Sequence, residues 1–154
     1  MTYNVHPIFV HFPIVLLLLY SIVKILPLDK FFPRVSWKQI ERFLLVLGFL
    51  GALAAIYTGG IARHLIQPNR QLVGMHSTFA TASTWIYGFL LFLEIIAIVK
   101  SKYAKFSDGL FSKLLALVGL ISISITGLLG GVIVYGVTAD PLAGIVLKLL
   151  GINL

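Results

Sequence analysis

Four histidines carry most of the chemistry open to this chain: His6, His11, His64 and His76. Imidazole is the side chain here best suited to ligating a transition metal or a haem iron. The 154 residues contain no cysteine. That removes disulfides, thiolate zinc sites, iron–sulfur ligation and covalent c-type haem attachment together. Asp and Glu number only five, and Met1 and Met75 are weak ligands. There is no glycine-rich phosphate loop, no HExxH, no GxSxG and no paired acid, so hydrolytic chemistry has no support. A bis-histidine haem b remains, and it needs two imidazoles from different helices at similar depth. His11 and His76 are the first choice, and His64 competes for either place. His6 ranks last, because it reads as a histidine of the membrane interface while His11 is flanked by Ile8–Val10 and Phe12–Leu19; five residues turn a helix by about 140°, so the two do not easily serve one ring from the same side.

The elements that must position these residues follow from composition. The chain is 59% hydrophobic and 11% charged, with a mean hydropathy of +1.03. Soluble domains are about 45–50% apolar and about 25% charged, so a water-facing surface cannot be covered here. A soluble enzyme and a disordered tail are both excluded. Four apolar segments run over about 7–26, 43–62, 78–99 and 114–137. Each approaches the ~20 residues that a helix needs to cross ~30 Å of hydrocarbon. The expected fold is an all-α integral membrane bundle of four helices, up-down-up-down, forming one domain over 1–154. MTYNVHP lacks a basic n-region, so the first segment reads as a retained span. The tail is too short to cross, and 141–152 reads as an interfacial or re-entrant helix after Pro141.

The net charge of +7 sorts along the chain instead of marking a nucleic-acid partner. Lys24, Lys30, Arg34, Lys38 and Arg42 flank the first connection, and Lys100, Lys102, Lys105 and Lys113 the third. The opposite end has Arg63, Arg70 and Lys148. The positive-inside rule puts the first and third connections in the cytoplasm and both termini outside. All four histidines then fall at the outer end, where the fourth helix also ends.

Small residues recur at helical spacing. Gly48, Ala52, Ile56 and Gly60 form one stripe, Gly51, Ala55 and Gly59 another, and Ala80, Thr84 and Gly88 a third. The fourth helix offers Gly119, Gly127, Gly130 and Gly131. Such stripes let helix backbones approach, or leave room for a flat macrocycle. Gly127, Gly130 and Gly131 are the expected neighbours of a haem. Glu94 is expected to pair with a lysine of a connection or to snorkel. Trp85, Tyr57, Tyr87 and Tyr135 read as interfacial anchors or core.

The opening HPIFVHFPIVLL, His6 to Leu17, resembles the signature of a prokaryotic four-helix membrane family, domain of unknown function 2231. The match is close at His6, Pro7, Val10, His11, Phe12 and Pro13. Gly59-Gly60, Gly74–His76 and the run Gly130 to Val137 echo its later motifs. Members often carry an acid near the end of the second helix, where this chain has Ala62-Arg63. The resemblance implies a prokaryotic cytoplasmic membrane and a respiratory setting, with cytochrome or Rieske-type redox partners or other complex subunits.

Together these readings favour a membrane electron-transfer subunit, cytochrome b-like, binding haem b near the extracytoplasmic face. A redox or structural subunit is favoured over a stand-alone enzyme. The alternatives are a non-catalytic structural subunit of a respiratory or other membrane complex, and a small metal- or proton-handling transporter.

Overall fold

The computed structural model describes residues 5–63 and 69–152. Seven helices account for most of them: α1 His6–Ile25, α2 Leu28–Phe31, α3 Trp37–Ala62, α4 Arg70–Val99, α5 Ala104–Asp108, α6 Leu110–Tyr135 and α7 Ala143–Leu149. No strand occurs among the described residues. α1, α3, α4 and α6 are long and apolar enough to cross a membrane, as the four apolar segments predict.

The helices overrun the apolar segments at several ends. α3 starts at Trp37 and not near Phe43, and α4 at Arg70 and not near Thr78. The added turns are polar, so hydrophobicity misses them, but helical geometry continues past the hydrocarbon. Asn69 fixes the start of α4 by accepting from Gln71 N at 2.9 Å and Leu72 N at 3.2 Å, which satisfies two otherwise orphaned amides. α6 stops at Gly136, whose φ of +83° favours glycine.

α1 packs on α3 and α6, and α4 packs on α6 and more lightly on α3. The order round the ring is therefore α1, α3, α4, α6, with α1 facing α4 across the interior. Lipid tails are as apolar as leucine, so close contact and interhelical hydrogen bonds must hold such a bundle. The small-residue stripe of α3 serves that need. A Cβ built at Gly48 would stand 2.6 Å from Leu17 Cδ2, and one at Gly51 3.1 Å from Phe12. α1 and α3 could not pack this closely with larger residues there. Between α1 and α4, Ser21 and Tyr87 share a hydrogen bond of 2.9 Å with both side chains buried. Trp85, Tyr57 and Tyr135 instead point outward.

The end of the bundle opposite the histidines is closed by ions. Lys24, buried on α1, pairs with Glu41 at 3.0 Å and Asp108 at 3.2 Å. Glu94, buried on α4, accepts from Lys38 at 2.9 Å and from Arg42 Nε at 2.7 Å. Ser107 also donates to Glu94, and Lys38 also meets Asp108. Glu94 thus pairs with a lysine as expected. The wider network, tying α1, α3, α4 and α5, has no counterpart in the sequence reading. The tail helix α7 does not stand apart: Ala143, Leu147 and Ile152 are buried with Leu72, Leu129 and Val132.

Candidate functional site

At the other end, the interior of the ring opens into a cavity of about 480 Å³. That lies in the range of about 300–1,000 Å³ usual for small-molecule sites. Its walls come from α1, α3, α4 and α6, and they are mostly apolar and small. His6, His11 and His76 line it, with Gly127, Gly130 and Gly131 from α6. Gly60 and Gly131 face open space, with no atom within 4 Å of a built Cβ. Among the described residues lining it, no Asp or Glu occurs.

His76 sits in the second turn of α4, half-buried. Its Nδ1 lies 3.0 Å from the backbone carbonyl of Thr126 on α6. A carbonyl only accepts, so Nδ1 carries the proton and Nε2 is the basic nitrogen. His6 opens α1. Its Nδ1 lies 3.0 Å from Thr58 Oγ1. The Thr58 hydroxyl is itself within bonding distance of the Ala54 and Ala55 carbonyls, at 3.0 and 3.1 Å. The hydroxyl thereby ties His6 to the α3 backbone. The Thr126 carbonyl thus sets the tautomer of His76, while His6 is held on α3 by Thr58 and by the Ala55 backbone.

The two rings meet across the bundle, with centroids 6.4 Å apart and planes at 85°. A glycine backs each ring. A Cβ at Gly59 would lie 3.0 Å from His6 Cε1, and one at Gly130 3.2 Å from His76 Cε1. Gly130 thus makes room for an imidazole, whereas Gly131 borders the void. His11 lies further along α1 and is exposed; its Nδ1 donates to the Pro7 carbonyl at 2.5 Å. His64 lies outside the described residues. The ring pair in contact is therefore His6 with His76, while the expected pair was His11 with His76. The sequence marks His6 only as a histidine of the membrane interface. It does not show that His6 points across the ring of helices toward α4.

Two supporting residues were missed. Thr58 orients His6, and the signal was its position one residue before Gly59-Gly60. Arg63 lines the cavity mouth, and it stands where relatives were expected to carry an acid.

These features define a multi-pass helical membrane protein with a histidine-lined pocket at one end of its bundle. Residues 2–141 match the family model described as "Predicted membrane protein (DUF2231)", and the chain belongs to that family. No curated protein and no solved structure gives a match.

Proposed function

We propose that the chain is a membrane electron-transfer subunit that holds one haem b in this cavity, with His76 and His6 as the axial ligands. The observation that carries this reading is the pair of imidazoles from diagonal helices, each anchored through Nδ1 to an oxygen on a neighbouring helix. Metal-ligating histidines nearly always donate their other ring N–H to a fixed acceptor, which sets tautomer and orientation.

Haem iron needs only two ligands from the protein, which His6 and His76 can supply. The small walls of Gly60, Gly127, Gly131 and Ala55 leave room for a flat ring, and their apolar surface excludes water. His11 borders the same space from α1. When bound, haem supplies one-electron transfer, and burial and ligation by the protein set its potential. The sorting of positive charge supports placing the histidine end on the extracytoplasmic side, where redox partners in a respiratory complex would be reached.

Purification in detergent after expression with haem supplied tests the reading. A Soret band and a reduced-minus-oxidised alpha band are expected, lost in His76→Ala and His6→Ala and kept in His11→Ala. A colourless wild-type protein that takes up no added haem would overturn it. A coloured protein whose spectrum survives both His6→Ala and His76→Ala would overturn the ligand assignment.

A further inference from the structure

We infer that Arg63 binds a carboxylate of the cavity's occupant, which under the haem reading above is a haem propionate. Arg63 caps the end of α3 and lines the cavity at its mouth. Apart from the imidazoles, it is the one ionisable side chain with a formal charge among the described lining residues. Among the described residues its guanidinium has no hydrogen bond and no ion pair. Four of the five acids are engaged elsewhere, and the fifth, Asp29, lies on α2 between α1 and α3. Glu41, Glu94 and Asp108 belong to the ion network at the far end. Asp140 accepts from Leu142 N at 2.8 Å.

The cavity is thus an apolar chamber with a single guanidinium at its rim. That arrangement selects a ligand with an apolar body and an anionic edge. A guanidinium offers a planar fork of donors that fits a carboxylate with two parallel hydrogen bonds. Arg63 and His76 line the same cavity, so one ligand can span the head and the rim together. A helix C-terminus by itself attracts a cation, but that attraction does not require the cation to line a cavity.

Spectral titration of the apo-protein in detergent with haem b and with its dimethyl ester tests this. The ester keeps the ring and the iron but has no carboxylate. Arg63→Gln is expected to weaken haem b binding about tenfold to a hundredfold, the range of a lost charge-assisted hydrogen bond, and to leave ester binding unchanged. Arg70→Gln, at the same end but outside the cavity lining, is expected to change neither. Equal haem b affinity in wild type and Arg63→Gln would overturn the inference and leave the haem reading standing. Failure of the wild type to bind either compound would overturn both.

Discussion

His76 Nδ1 on α4 is bonded to the backbone carbonyl of Thr126 on α6 at 3.0 Å. The bond crosses between two helices, so the imidazole is oriented by tertiary packing and not by its own helix. Because the acceptor is backbone, no side-chain change at Thr126 can remove it directly. His76→Gln is therefore the informative change. It keeps a polar side chain but removes the aromatic nitrogen, and haem absorbance is expected to fall to background while the far-ultraviolet helical signal is unchanged. Retention of a wild-type spectrum would remove His76 from the site.

Thr58 does for His6 what the Thr126 carbonyl does for His76. Thr58→Val keeps the shape and removes the hydroxyl. Partners that orient a metal-bound histidine typically contribute 10–100-fold in affinity. Haem titration of Thr58→Val is expected to show a loss of about that size, smaller than the loss in His6→Ala. An affinity equal to wild type would mean that Thr58 only bonds its own helix.

Much of this frame was readable from residue types. Four apolar runs sufficed for four spans, because a lipid-exposed backbone has no other way to satisfy its polar groups. Segregation of the histidines followed from alternating helix direction. What could not be read was which face of α1 looks inward. His6 and His11 both precede or flank prolines, and the choice between them depends on how α1 lies against Gly51 and Gly59, a tertiary matter. The ion network was hidden for a similar reason. Lys24 sits inside an apolar run, and its partners Glu41 and Asp108 lie far along the chain, so spacing carries no sign of their meeting.

The glycines divide by what surrounds them, and substitution separates the classes. A Cβ at Gly48 would meet buried Leu17 at 2.6 Å, whereas one at Gly131 meets nothing within 4 Å. Gly48→Ala is expected to destabilise by about 1–3 kcal/mol, the usual cost of overpacking. Gly131→Ala is expected to leave thermal unfolding in detergent unchanged. Gly130→Ala falls between: it crowds His76 Cε1 at 3.2 Å, so it is expected to shift the haem spectrum more than the stability. Equal melting temperatures for Gly48→Ala and Gly131→Ala would contradict the packing role of the α3 stripe.

The ion network gives the fold a pH dependence. Burial alone would raise the Asp108 carboxyl, but the hydrogen bond and charge of Lys38, with Lys24 beside it, outweigh burial and hold it below its ordinary value. A lowered folded value means that the contribution is fully present above the unfolded value of about 3.9. It is then lost as pH falls through the lower folded value. Asp108 is 55% exposed, so its own share is small, and Asp108→Asn is expected to flatten only part of the acid-side fall in melting temperature. Glu94 differs, since its side chain is 8% exposed and faces both Lys38 and Arg42. Removing one partner from a buried ion pair costs about 3–5 kcal/mol. Glu94→Ala is therefore expected to lower the melting temperature at neutral pH far more than Asp108→Asn. A Glu94→Ala protein as stable as wild type at pH 7 would show that α3 and α4 are held together without these ions.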